Sequence, residues 1–354
     1  MPTSHSNAVG PTPFIARAPA KLILSGEHAV VHGHPAIAVA VDAHLTAEIL
    51  PNATGHIDAQ FPGFFAPCTC PIDEIDDLKA RLDRRHAEFL QGSRAIDTLL
   101  DRPADVAFYT CALHRAAHPY SLTHGIDLRY HADFPLGGGM GGSAALIAAT
   151  LSGLAKMNGL ALSRRKHYEQ TLQAERLLHG RPSGIDPYVV VYGGCVRFQA
   201  GQPTAINLAL PPLDWVYTGT PQATTGECVA SVATRFPSTH TIWPEFAATT
   251  CALETALRSG DHTRVTAAIR RNHRLLVDLG IVPPRVQAFV AEVEQQGGAA
   301  KICGAGSIRG DEGGALWVWQ DPAIDTRSQA HHHADDETDT REQRAVYGRR
   351  GQRP

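Results

Sequence analysis

Pro135-Leu136-Gly137-Gly138-Gly139-Met140-Gly141-Gly142-Ser143-Ala144-Ala145 is the stretch whose reading decides this chain. It sets glycines and one serine between a strand-like run, Ile126 to Phe134, and an Ala-rich segment that reads as a buried helix starting at Ser143. Glycine permits positive φ and close backbone approach, and the first amides of a helix present unpaired N–H groups at the positive end of its dipole. The loop therefore reads as a phosphate cradle, although the same glycines also suit a plain hairpin or linker. The strong helix formers that follow favour the cradle, because they leave the first amides with no partner but ligand or water. The sequence lacks G-x-x-x-x-G-K-[ST], and its glycine spacing fails the dinucleotide fingerprint.

Composition narrows the class. With 354 residues, 43% hydrophobic and 19% charged, the chain suits two domains with cores of their own. A net charge of -3 gives no basic footprint for nucleic acid. No apolar run is long enough to span a bilayer and no leader is visible, so the expectation is a cytoplasmic protein with no membrane partner. Seven scattered cysteines read as free thiols; Cys68 and Cys70 lack a second pair at zinc-ligand spacing.

Along the chain, residues 14 to 49 read as a β meander broken at Gly26 and at His32-Gly33-His34-Pro35. Helix-period positions follow between 74 and 118, then the strand, cradle and helix. A helix from about Arg164 to Leu178 ends at His179-Gly180, and the breaker cluster Arg181-Pro182-Ser183-Gly184 leads into a segment read as β from Tyr188 to Phe198. Gly201-Gln202-Pro203 is taken as the boundary between domains 1–203 and 204–320. The second half reads as a strand at Asp214 to Thr218, helices near 243–258, 261–278 and 284–296, and a strand at Ala300 to Cys303 entering a second glycine loop. Residues 321–354 are rich in Asp, Arg, His and Gln, and read as a polar tail without packed elements.

Three ordered segments resemble the motifs of the GHMP kinases: Pro19-Ala20-Lys21-Leu22-Ile23-Leu24-Ser25-Gly26-Glu27-His28-Ala29-Val30-Val31, the cradle, and Lys301-Ile302-Cys303-Gly304-Ala305-Gly306. Within that family the similarity is to the branch acting on mevalonate, through Gly26 to Val31, His179-Gly180-Arg181-Pro182-Ser183-Gly184-Ile185-Asp186, and Asn272-His273-Arg274-Leu275-Leu276. The resemblance, from about residue 14 to 318, implies an α+β two-domain fold. Its N-terminal unit would be ribosomal-protein-S5-like and its C-terminal unit a ferredoxin-like α/β domain with an atypical C-terminus. It further implies ATP and Mg²⁺, phosphorylation of the primary hydroxyl of mevalonate in isoprenoid synthesis, and it allows a homodimer. Phosphomevalonate, galactose and homoserine are alternative acceptors, and a catalytically impaired nucleotide or metabolite binder is an alternative of another class.

In-line phosphoryl transfer to an alcohol needs an oriented, deprotonated hydroxyl and neutralised phosphate charge. The resemblance gives Asp186 the role of base and Lys21, embedded among apolar residues, that of the adjacent cation. It assigns the ATP phosphates to Pro135, Gly137, Gly138, Gly139, Met140, Gly141, Gly142, Ser143, Ala144 and Ala145. Ser143 and Glu175 match the Mg²⁺ ligands; without the resemblance they read as a helix cap and a solvated helix face. Glu27, His28, His179, Thr225, Gly304, Ala305 and Gly306 match positions near the substrate, with Thr225 read in a strand-like stretch.

Departures from the family pattern stand out in four places, the first motif, the cradle, the third motif and the segment beyond Gln320. Ala20 replaces a glycine, Met140 a leucine and Gly142 a serine; the third motif continues as Ser307-Ile308-Arg309-Gly310-Asp311, adding bulk and charge beside the expected phosphate site. Beyond Gln320 the apolar pattern ceases, as a shifted reading frame would make it.

Overall fold

The structure, a computed structural model, describes residues 12–208, 210 and 213–320. The polar tail expected over 321–354 lies outside them.

The first unit begins with two long strands, β1 (Phe14–Ser25) and β2 (Ala36–Asn52), paired antiparallel around a short 3₁₀ turn at His28–His32. The first half of β1 alternates in burial, as a strand with one covered face should. From Ala20 to Ser25 every residue is buried, because helices and the second unit cover both faces. The segment after β2 forms a hairpin the sequence reading did not isolate, β3 (His56–Phe61) and β4 (Phe65–Pro71). Two helices, α1 (Ile75–Leu90) and α2 (Asp105–Ala117), then return the chain so that β5 (Gly125–Ala132) runs parallel to β3 and antiparallel to β2.

The cradle follows β5 and opens α3 (Gly142–Met157), whose residues Ala144 to Leu151 are all buried against β1 and β2. Small side chains there let the helix lie close on the sheet, so the cradle leads straight into a close-packed core. Next come α4 (Arg164–His179), capped by Ser163, and α5 (Ile185–Tyr192). The last is a correction: Tyr188 to Tyr192 is helical, and only β6 (Cys195–Gln199) is strand in the segment read as β. Val189 and Val190 are β-formers by propensity, but both are buried, Val189 against Ile185, Val196 and Phe198 and Val190 in the main core, and packing overrides propensity.

Ala200 and Gly201 form the two-residue turn of a hairpin between β6 and β7 (Gln202–Ile206), both with positive φ. Gly201-Gln202-Pro203 is thus inside the first unit's seven-stranded sheet, of order β4-β3-β5-β2-β6-β7 with β1 on β2. We propose that the division of the chain falls after Ile206 and before Asp214.

The second unit holds β8 (Asp214–Tyr217), α6 (Thr225–Arg235), α7 (Ile242–Ser259), α8 (His262–Asp278), α9 (Pro284–Gln295), β9 (Ala299–Ile302) and β10 (Ala315–Trp319). Its antiparallel sheet has the order β8-β10-β9. Trp243, Phe246, Leu275, Leu276, Ile302 and Leu316 form its core, into which Ala29 of the first unit is packed. Thr225 is corrected too: it opens α6, behind a capping box in which Thr224 and Glu227 satisfy each other's backbone N–H.

Candidate active site

Lys21 stands where three elements meet. The pairing of β1 with β2 slips between Pro19 and Ala20, and Lys21 follows directly, with its amide donating to Met140 O at 3.0 Å. Its side chain is 2% exposed. The ammonium donates to Gly139 O at 3.0 Å and lies 3.1 Å from Asp186 Oδ1. A buried ammonium without partners would be costly, and these two oxygens supply them. Asp186 sits in the first turn of α5 rather than ahead of a strand, and is 28% exposed toward the cleft.

The cradle fits this lysine closely. Gly141 has φ of +73°, and a Cβ there would lie 2.8 Å from Lys21 Cγ. On its other side the loop meets the second unit: a Cβ on Gly304 would fall 2.8 Å from Gly139 Cα, so the two glycine loops touch backbone to backbone. Ala315 N donates to Gly138 O at 2.8 Å, which ties the loop to the start of β10. Behind Pro135 to Gly142, α3 starts at Gly142; Ala145 N is the first amide bonded within the turn, to Gly141 O at 2.9 Å. Helix geometry leaves the amides of Gly142, Ser143 and Ala144 for another acceptor. Met140 is buried and Ala20 lies in β1 at negative φ, so both replacements fit.

Glu175 is buried on α4, and burial pushes its carboxyl above the usual carboxylate range, against the opposing pull of His179 and Ser143. His179 Nε2 lies 3.3 Å from Glu175 Oε2 and 3.4 Å from Ser143 Oγ. The other carboxylate oxygen, Oε1, is buried without a hydrogen-bond partner. Hydroxyl, imidazole and carboxylate therefore converge, with one oxygen left over.

Glu27 and His28 follow β1. His28 is buried, and desolvation holds its pKa below the usual imidazole value; its Nε2 donates to Ala305 O at 3.1 Å. The Glu27 carboxylate is paired with Lys301 of β9, both side chains being fully buried. Its second oxygen accepts from Asn272 Nδ2 at 3.1 Å, and Lys301 also donates to Ile23 O at 2.9 Å. Asn272 Oδ1 in turn accepts from Ser25 Oγ at 3.0 Å. Glu27 is thus committed to a strut between the first motif and the third. Lys301 and Asn272 both lie in motifs quoted from the sequence, but only the pairing across units gives them a part.

A cleft of about 340 Å³ joins these groups. Lys21, Asp186, Glu175, His179, Glu27 and His28 line it, with Gly139, Gly304 and Ala305. Phe89, Ile96, Val229 and Arg181 extend it toward Thr225 and Gly226 at the start of α6. Gly306 is not in the lining; it packs on Ile281. The charged insertion after it turns away as well. Arg309 reaches Glu227 with two nitrogens at 2.9 Å, and Ser307 N donates to Ile281 O at 2.9 Å. Of the added charge, the Arg309 guanidinium is thereby engaged by Glu227.

Two family models match this chain, GHMP kinases N terminal domain over residues 107–194 and GHMP kinases C terminal over 253–308. The mevalonate kinase of Pyrococcus furiosus is 30% identical over 307 residues, covering 82% of this chain and 86% of that protein. Among solved structures, the mevalonate kinase of Methanococcus jannaschii superposes with a TM-score of 0.72 at 21% identity, over 87% of this chain and 91% of that one. The L. major mevalonate kinase in complex with R-mevalonate gives 0.61 at 21%, over 90% and 91%. With its three motifs in order around one cleft, this chain belongs to the GHMP kinases, among the mevalonate kinases.

Proposed function

We propose that the protein transfers the γ-phosphoryl group of ATP to the primary hydroxyl of mevalonate, giving 5-phosphomevalonate and ADP. The observation that carries this reading is Lys21, whose ammonium touches both the cradle carbonyl of Gly139 and the carboxylate of Asp186. One buried cation thereby couples the place where phosphates would lie to the group that would take the hydroxyl proton. Asp186 orients the alcohol and accepts its proton as the oxygen attacks phosphorus; Lys21 stabilises the alkoxide-like charge that develops. The free amides at the start of α3 and the loop Pro135 to Gly142 hold the polyphosphate of ATP. Gly304 and Ala305 close the cleft from the second unit, and His28, held by Ala305, faces the substrate end.

Ser143 and Glu175 suit a Mg²⁺ ion. Both offer hard oxygens, and the partnerless Glu175 Oε1 is the kind of buried acceptor a cation satisfies. Among the described residues no group of three or more His, Cys, Asp or Glu side chains could hold a metal alone. Two protein ligands suffice for Mg²⁺ where phosphate and water complete its octahedral shell. Such an ion would neutralise phosphate charge during transfer.

A coupled ADP-release assay with mevalonate, phosphomevalonate, galactose and homoserine tests the assignment. Turnover with mevalonate alone is expected. ATP binding without turnover on any of the four would refute it.

A further inference from the structure

The cleft contains one charged side chain that the chemistry above leaves unused. Of the charged groups lining it, Lys21 pairs with Asp186, Glu175 with His179, and Glu27 with Lys301. Arg181 also lines it, yet no acid among the described residues lies within ion-pair distance. Its guanidinium is steered by a single bond, Nη2 to Leu90 O at 3.2 Å at the end of α1, leaving its other donors for a partner.

The surroundings fix where that partner would sit. Gly180, the preceding residue, lies against Ile96, since a Cβ there would come 3.2 Å from Ile96 Cδ1. Gly226, in the first turn of α6, approaches the same Ile96 atom, with a Cβ at 3.3 Å. The backbone just before Arg181 and the amino end of α6 thus both approach Ile96, and all three line the cleft. The amides of Thr225 and Gly226 have no acceptor within the helix, and the positive end of α6 adds to the guanidinium. The nearby acid, Glu227, is held by Arg309 and by Thr224. The Lys21 and Asp186 pair lines the same cleft, beside Gly139.

We propose that Arg181, with the α6 amides of Thr225 and Gly226, receives the carboxylate of the acceptor substrate and so aligns its far hydroxyl on Asp186. This rests on the reading of the protein as a mevalonate kinase. The six-carbon hydroxy acid then lies with its carboxylate at Arg181 and its alcohol at the cradle, its hydrocarbon along Val229 and Ile96. Arginine suits the task, because its planar fork meets a carboxylate with two parallel bonds.

The test compares two acceptors in wild type, Arg181→Gln and Arg181→Lys: mevalonate, and the triol in which its carboxylate is reduced to a hydroxymethyl group. Arg181→Gln should raise KM for mevalonate roughly 10- to 100-fold, the loss expected of a charged hydrogen-bond partner, with kcat and the KM for ATP little changed. The KM for the triol should not move, and Arg181→Lys should recover part of the loss. Arg181 is exposed, so its replacement should leave folding intact, and equal melting temperatures of the three proteins check this. An unchanged KM for mevalonate overturns the proposal, as does an equal rise for the triol, which would make Arg181 a shaper of the wall. Wild-type protein that turns over neither acceptor refutes the assigned reaction instead.

Discussion

Replacing Lys301 with methionine should unfold the joint between the two units. In the native protein the Lys301 ammonium is 0% exposed and holds the Glu27 carboxylate and Ile23 O; Glu27 is left otherwise with the Asn272 amide alone. Methionine fills nearly the same volume, so the perturbation is electrostatic: a buried carboxylate loses its counter-charge and a backbone carbonyl loses its donor. Breaking a buried pair from one side costs about 3–5 kcal/mol, whereas replacing both members by apolar residues of similar size is often neutral or stabilising by about 1–4 kcal/mol. At roughly 2–4 °C per kcal/mol, the Lys301→Met variant should melt on the order of 10 °C below wild type. Scanning calorimetry on wild type, Lys301→Met, Glu27→Met and the double variant closes the cycle. The double variant should recover most of the single losses. If the two losses instead add, Glu27 and Lys301 do not act as a pair and the strut is refuted.

Three further outcomes follow from the site. Asp186→Asn should lower kcat by about 10²- to 10⁴-fold with ATP affinity retained, measured by ADP release and nucleotide titration; substantial remaining turnover would remove Asp186 from the chemistry. Gly141→Ala places a methyl 2.8 Å from Lys21 Cγ at a φ of +73°, so it should displace the ammonium and cut kcat well beyond its effect on melting. An alanine variant with wild-type kcat would contradict that fit. His114 and His273 are buried, and burial first, then neighbouring cations or His118, draws each pKa down to about 4. The unfolded chain, near 6.5, therefore binds more protons between these values, and stability falls as pH drops from about 6.5 to about 4. Urea midpoints across that window should be steeper in wild type than in a His114→Gln, His273→Gln double variant; equal slopes would assign the acid sensitivity elsewhere.

The parts of the fold legible in the sequence are those where local chemistry and packing agree. The cradle, α3, α8 and α9 carry glycine, alanine or helix-period signals that no neighbour contradicts. α5 was hidden because Tyr188-Val189-Val190-Val191-Tyr192 is apolar on every side, and a buried helix of this kind has no period to distinguish it from a strand. Its signal lay upstream, in Asp186 and Pro187, both suited to a helix's first turn. α6 announced itself by Thr224-x-x-Glu227, a capping box that the β-leaning residues after it outweighed. In the site, Lys21 and Asp186 could be paired by resemblance alone. The strut from Glu27 to Lys301 joins residues 274 apart in the chain, and no spacing rule reaches that far.

That strut bears on why the cradle needs the second unit at all. Glycines give the loop from Gly137 to Gly142 its reach, but the same freedom leaves its shape undetermined by local sterics. Its shape is set by what it touches: Lys21 on Gly139 O, Ala315 N on Gly138 O, and Gly304 against Gly139. Two of these three contacts come from β10 and from the loop after β9. Those strands are registered on each other by Leu316 opposite Ile302, and are tied to the first motif through Lys301. The position of the phosphate cradle is thus a property of the β9 and β10 pair as much as of its own sequence. Loosening that pair, far from any reacting atom, would misplace Gly139 and with it the ammonium that joins phosphate to hydroxyl, and displacements of about 1 Å at such a site cost on the order of 10²-fold in rate.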